Sequence, residues 1–204
     1  MKSKGKLFTG LANAPVQTKL HAFFGINEET QRHIGTFVVL FSMVEQQLEF
    51  VLLTKSREIA VEQIPTTDRM AVSDRFKALR ALAEEEPSLL GCVEYAVNLG
   101  EVLMTARHTV VHGAPMEHGR VEKNRSWFGE VRKRPFSALQ IDGAILDSES
   151  MVADTLFRQL GSIGAWLSGN FDVATAMEPD ETERETATAA AAVIAEALRN
   201  ARTA

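Results

Sequence analysis

The residues best suited to chemistry lie in one short segment, Arg107–Gly113 (RHTVVHG). On a helix, residues four apart share a face, so His108 and His112 lie on the same side. Arg107 precedes His112 by five positions, which places it about 140° away around the helix axis. Imidazole transfers protons near neutral pH, and a guanidinium donates paired hydrogen bonds to phosphate oxygens. The segment therefore carries the groups needed for acid–base chemistry beside a bound anion.

A purely structural interpretation of these residues stays open. On this interpretation Arg107 forms a salt bridge at the helix end, His112 completes the last turn near the negative end of the helix dipole, and His108 is solvated. His108 and His112 also have the spacing of metal ligands. No His-Glu-x-x-His pattern and no third ligand accompany them, so we expect no metal site and no cofactor.

Helical spacing of apolar residues along most of the chain predicts an all-α fold. Asn27 has the residue type of an N-cap for a first helix, and Ser73 that of a cap for a second. Pro87 is well placed to start a third helix, and the fourth is expected to start near Ser148 or Ser150. The four helices are expected at about 27–55, 73–86, 87–112 and 148–167. The predicted buried face of the second consists of Phe76, Leu79, Leu82 and Ala83.

The chain divides into three predicted parts, which are a basic irregular arm at 1–26, a helical domain at 27–170, and a C-terminal part at 171–204. Within the domain, glycine and proline punctuate residues 116–146, which favours a β-hairpin or a long ordered loop. The C-terminal part combines an acidic linker around Glu178–Glu185 with an alanine-rich helix at Ala187–Leu198. That helix has two candidate docking surfaces, the bundle itself and a partner chain.

The composition is typical of a soluble globular protein, with 204 residues, 45% hydrophobic, 24% charged and a net charge of -5. An acidic balance gives no general affinity for nucleic acid, so any such binding requires a local patch. Cys92 is the only cysteine, which excludes a disulfide within the chain and fits a reducing compartment. The most apolar run, Phe37–Val44, is much shorter than the roughly 20 residues of a membrane span. With no signal peptide recognised, we expect a cytoplasmic protein without a membrane segment.

A basic patch directly follows the histidine segment. Trp127 and Phe128 interrupt it and offer rings on which a base can stack, which favours one wall of an RNA-binding cleft. The alternative is a solvated hairpin whose aromatic rings pack on the bundle. The patch has a local charge of +4, from six basic residues, Arg120, Lys123, Arg125, Arg132, Lys133 and Arg134, against Glu122 and Glu130.

One carboxylate lies on the apolar side of the first helix. The residues that fall within about 40° of one line, at about 100° per residue, are Ile34, Val38, Phe41, Leu48 and Leu52. Glu45 falls in the middle of this line, where a carboxylate is costly unless it is paired. Arg107, at the edge of the core stripe of the third helix, is the expected partner. That stripe consists of Leu99, Leu103, Ala106 and Val110. The alternative is that the helix curves and the carboxylate reaches water.

The pattern of arginine, a polar residue, three further residues and then His-Gly at a helix end resembles the R-x4-6-H motif of HEPN domains (higher eukaryotes and prokaryotes nucleotide-binding). The stretch Phe41–Leu48 (FSMVEQQL) is similar to the early helix of that family, with its acidic residue among apolar ones. The resemblance covers about 28–167, and its specific part is seven residues long. It implies an up-and-down four-helix bundle with a β-hairpin or long ordered loop after the third helix and an extra C-terminal helix.

The resemblance implies a metal-independent endoribonuclease, a toxin or an anti-phage defence effector, that cleaves RNA through attack by the 2′-hydroxyl. The alternative is a catalytically weak or inactive module that binds RNA, a nucleotide or a protein. In the enzyme, His112 is the general base or acid, Arg107 the phosphate clamp, and His108 a second polar contact. We expect Glu45 to orient Arg107. Similar proteins form homodimers in which two motifs face one cleft, and a cognate antitoxin is the further partner that the resemblance suggests.

Overall fold

Helices make up most of the described chain. The structure is a computed structural model that describes residues 14–16, 18, 28–56, 70–112, 114–116, 120–123, 137–140 and 143–200. Within these residues the α-helices are α1 Glu28–Ser56, α2 Val72–Glu85, α3 Leu90–His112, α4 Gly143–Leu167, α5 Phe171–Met177 and α6 Glu181–Asn200. A single 3-10 turn, Pro87–Leu89, joins α2 to α3. The predicted helical fold class is confirmed.

A small antiparallel sheet lies between α3 and α4 in the chain. Its strands are β1 Ala114–Met116, β2 Arg120–Lys123 and β3 Ser137–Gln140, in the order β1-β2-β3. Val121 lies opposite Pro115 on one side and Leu139 on the other. Strands β2 and β3 lie against α3, so the sheet is attached to the helix that carries the histidine segment.

Contacts at successive points show that α1 and α4 run parallel. Near the start of both helices, Nδ1 of His33 lies 3.2 Å from Oδ1 of Asp147. Near the end of both, a Cβ at Gly164 would lie 3.3 Å from a methyl group of Val51. Among the described helices, these two form the most extensive pair.

Helices α1 and α2 also run in the same general direction, so the predicted up-and-down order is wrong at this point. Glu49 pairs with Arg75 at 3.7 Å, and further along both helices Lys55 pairs with Glu86 at 3.4 Å. The chain between Ser56 and Val72 has the length for such a return, because 15 residues reach about 50 Å and α1 is about 43 Å long. Helix α3 then runs back antiparallel to α2.

The buried face of α1 is rotated from the predicted one. The side chains with almost no exposure are Phe37, Phe41, Val44, Leu48 and Val51. Glu45 lies about 80° from the centre of this face, at its edge, and is partly exposed. The prediction that Glu45 occupies the middle of the apolar face is therefore wrong, because Val44 and Val51 pack inward where Val38 was expected to.

The predicted starts of two helices are wrong by different amounts. Helix α2 begins at Val72 after Ala71, whose side chain cannot cap it, so Ser73 is a helical residue rather than the N-cap. Helix α4 begins at Gly143 instead of near Ser148 or Ser150, because Ile145 and Leu146 are buried and extend its apolar face. The predicted buried face of α2 is confirmed for all four of its residues.

The C-terminal helix belongs to the main core. Asp180 and Glu183 form a reciprocal cap at its start, where Glu183 N–H donates to Asp180 Oδ1 at 2.8 Å and Asp180 N–H donates to Glu183 Oε2 at 2.9 Å. The predicted acidic linker is therefore helical from Glu181 onward. Its inward face packs on α4 and joins the core, so the bundle is the docking surface of this helix; that face comprises Ala187, Ala190, Ala191, Ile194 and Leu198.

Two segments, Glu28–Lys55 and Pro87–Val111, are long and apolar enough to cross a membrane by length and composition alone. Core helices of soluble proteins pass the same test, and both segments contribute buried side chains to the core here. The absence of a membrane segment stays a prediction.

The contact between α2 and α3 leaves no room for a side chain at Gly100. A Cβ there would lie less than 3.0 Å from three atoms of the buried Phe76 ring. We expect Gly100→Ala to lower the free energy of unfolding by about 1–3 kcal/mol, because the ring must shift within a packed core. Urea unfolding followed by circular dichroism measures this change.

Gly91→Ala is the matched control on the same helix, because a Cβ at Gly91 meets nothing within 4 Å. Alanine is the better helix former, so this variant is expected to gain up to about 1 kcal/mol. Similar effects of the two substitutions would contradict the close contact between Phe76 and Gly100.

Candidate functional site

A cavity of about 400 Å³ lies where α1, the start of α2 and the last turns of α3 meet. Its size is within the range of small-ligand pockets, about 300–1,000 Å³. The parallel course of α1 and α2 brings the start of α2 to this place, and the antiparallel α3 brings its last turns. The lining residues are Phe41, Glu45, Ala71, Val72, Ser73, Met104, Thr105, Arg107 and His108.

The guanidinium of Arg107 lies over an aromatic ring. Its central carbon is 5.7 Å from the centre of the Phe41 ring, the geometry of a cation–π contact. Phe41 is itself held edge-to-face against Phe37, with ring centres 6.2 Å apart, and both rings are buried. The core of α1 therefore positions the arginine at the cavity wall.

The predicted ion pair between Glu45 and Arg107 does not form. Among the described residues, neither side chain has an oppositely charged partner within 4.0 Å, although both line the same cavity. The prediction was wrong because it placed Glu45 on the buried face, where a carboxylate would need a partner. At the edge of that face Glu45 is partly exposed, as the alternative interpretation required. Phe41, rather than Glu45, holds Arg107 in place.

The two histidines of the segment differ in what the structure describes. His108 is exposed on α3 and lines the cavity next to Arg107. Helix α3 ends at His112, as predicted, which puts its backbone about one turn beyond His108. The side chain of His112 lies outside the described part of the structure. Arg107 and His108 are thus the two members of the predicted trio that the structure brings to one cavity.

The predicted basic wall falls largely outside the described residues. The backbones of Arg120 and Lys123 lie in β2, and their side chains are not described. The remaining residues of the predicted wall lie outside the described chain; these are Arg125, Trp127, Arg132, Lys133 and Arg134. The contribution of the patch to a cleft stays a prediction.

The cavity is lined by groups of both charge signs. Arg107 supplies the positive charge, and Val72 and Ser73 add the first N–H groups of α2, where the helix dipole is positive and no side chain caps the helix. Glu45 supplies the negative charge. Within the described ranges, no group of three or more histidine, cysteine or acidic side chains is placed to hold a metal ion.

A larger cavity, about 840 Å³, lies between α3 and the start of α6. Its cation, Arg184, lies 5.5 Å from the centre of the Tyr95 ring, but it is already bound to the Glu178 carboxylate and to Oε1 of Gln159. Its charge is therefore neutralised within the protein. The smaller cavity is the better candidate site, because Arg107 has no carboxylate partner there among the residues that the structure describes.

Sequence reasoning missed one unusual carboxyl group, that of Glu149 on α4. The side chain is fully buried, and neither of its oxygens has a hydrogen-bond partner in the described structure. Burial raises the pKa of Glu149 to about 8. The sequence did contain a signal for its burial, because Glu149 shares a helix face with the apolar residues Leu146, Val152 and Leu156. Glu149 does not line the cavity.

The geometry thus brings Arg107, His108 and Glu45 to one cavity at the end of α3. No protein-family model, curated protein or solved structure matches this chain. The functional interpretation therefore rests on the charged and hydrogen-bonding groups that line the cavity.

Proposed function

We propose that this protein is a HEPN-like, metal-independent endoribonuclease whose scissile phosphate binds at Arg107. The observation that supports the proposal is the arginine itself, which is held on Phe41 at the cavity wall without a carboxylate partner among the described residues. A guanidinium in this setting binds a phosphate through two parallel hydrogen bonds. His108 lies beside it, and the α3 backbone places His112 about one turn further on.

The proposed reaction uses the ribose as its own nucleophile. A histidine base takes the proton of the 2′-hydroxyl, whose oxygen attacks phosphorus, and the bond to the 5′-oxygen breaks. A histidine acid protonates that leaving oxygen, which gives a 2′,3′-cyclic phosphate and a free 5′-hydroxyl. Arg107 stabilises the charge that accumulates on the phosphorane oxygens, and His112 serves as base or acid.

A homodimer supplies both proton-transfer groups at one place. One chain offers a single His112, whereas two chains related by a two-fold axis offer two. In this proposal one His112 acts as base and its partner as acid, with the His108 side chains as further polar contacts to RNA.

Incubation of the protein with single-stranded RNA in excess EDTA tests the proposal. We expect cleavage to persist in the chelator, the products to carry 2′,3′-cyclic phosphate ends, and a 2′-deoxy nucleotide at the cleavage site to stop the reaction. Cleavage that stops on chelation, or that continues at the 2′-deoxy position, contradicts the mechanism. RNA binding without cleavage would favour the inactive binding module instead.

A further inference from the structure

We infer that the cavity accepts guanine beside the scissile phosphate and that Glu45 is the residue that recognises the base. The inference rests on the proposed function, since it assigns the substrate preference of the same site. It starts from the finding that Glu45 and Arg107 line one cavity without pairing to each other.

The two opposite charges line one cavity but lie more than 4.0 Å apart. Arg107 lies over Phe41, and Glu45 follows Phe41 by four residues, about 6 Å along the helix axis. A ligand that satisfies both side chains must present an anion at one end and hydrogen-bond donors at the other. A nucleotide has this character, with phosphate and base separated by the sugar.

The carboxylate selects among the four bases, because an ionised carboxylate accepts hydrogen bonds and cannot donate them. Guanine presents two adjacent donors, N1–H and the N2 amino group, which match its two oxygens. Adenine and cytosine each place a ring-nitrogen acceptor beside their amino donor, and uracil places two carbonyl oxygens beside its single N–H. These acceptors repel the carboxylate, so Glu45 disfavours the other three bases as well as favouring guanine.

The test compares short RNAs that differ only in one nucleotide, which is guanosine, inosine, adenosine, cytidine or uridine. Binding is measured by fluorescence anisotropy on 2′-deoxy versions that cannot be cleaved, and cleavage on the ribose versions. We expect the RNA with guanosine to bind more tightly and to be cleaved faster than the RNA with adenosine, by about 10- to 100-fold in each case. This is the effect of hydrogen bonds to a charged group. Inosine lacks the N2 amino group and should fall between them.

Glu45→Gln keeps the size of the side chain but replaces one acceptor oxygen with a donor. In this variant we expect the affinities for the guanosine and adenosine RNAs, and their cleavage rates, to differ by no more than about threefold. The unfolding midpoint should stay unchanged. Glu94→Gln, an exposed position of α3 that does not line the cavity, is the matched control and should keep the wild-type ratio.

Equal binding of all five RNAs by the wild type, or an unchanged ratio in Glu45→Gln, overturns the recognition of guanine. Cleavage without base preference would also overturn the recognition of guanine, but it would be consistent with the proposed ribonuclease activity. Failure to bind or cleave any of the RNAs would overturn both.

Discussion

Replacing Arg107 with alanine is expected to lower kcat/KM for RNA cleavage by about 10²–10³-fold, the loss typical of one charge-stabilising donor. The arginine lies at the cavity wall with its guanidinium over Phe41, so its removal leaves the phosphorane charge without its main partner. Arg107→Lys keeps the positive charge but loses the paired donors, and we expect an intermediate loss. Initial rates on a labelled RNA oligonucleotide measure both variants.

The matched control for this experiment is Arg80→Ala. Arg80 is an exposed residue of α2 whose partner is Glu101 at 3.6 Å, and it does not line the cavity. Its replacement should leave the cleavage rate unchanged. Arg107→Ala should remain folded, since loss of a cation–π contact at a partly exposed site lowers stability by only about 0.5–1 kcal/mol. Wild-type activity in a folded Arg107→Ala protein would contradict the phosphate-binding role.

The free energy of unfolding is expected to fall as the pH rises from about 4.5 to about 8, because of Glu149. Burial raises the pKa of this carboxyl in the folded protein, whereas the unfolded chain titrates at the ordinary value. The folded state therefore holds one more proton than the unfolded state across this range. The contribution of Glu149 to stability is fully present below about pH 4.5 and is lost as the pH rises to about 8. Linkage converts a shift of this size into a few kcal/mol, on the order of 1.4 kcal/mol per pH unit.

Glu149→Gln removes the titrating group while preserving its shape. We expect the variant to be more stable than the wild type at pH 8 and to lose this advantage at pH 5. Urea unfolding at the two pH values measures the difference, and Glu94→Gln, at an exposed position, should keep the wild-type pH dependence. A Glu149→Gln protein whose stability follows pH as steeply as the wild type would contradict the assignment.

Local sequence patterns were sufficient to predict three features of the fold. These are its helical class, the buried face of α2 and the end of α3 at His112. Each depends on residues close together in sequence, because apolar spacing and helix-ending residues act over one or two turns. The same spacing put Arg107 at the edge of a core stripe, and its partly buried position beside Phe41 agrees with that.

Only the tertiary structure decided which groups meet at the cavity. The parallel course of α1 and α2 brings Ser73 beside Arg107, and a rotation of the buried face of α1 gives the arginine a ring, rather than Glu45, as its partner. Packing against α4 likewise drew α6 into the core. Helical periodicity tells which residues share a face, but the choice of neighbouring helix, its direction and the exact rotation depend on how side chains distant in sequence fit together.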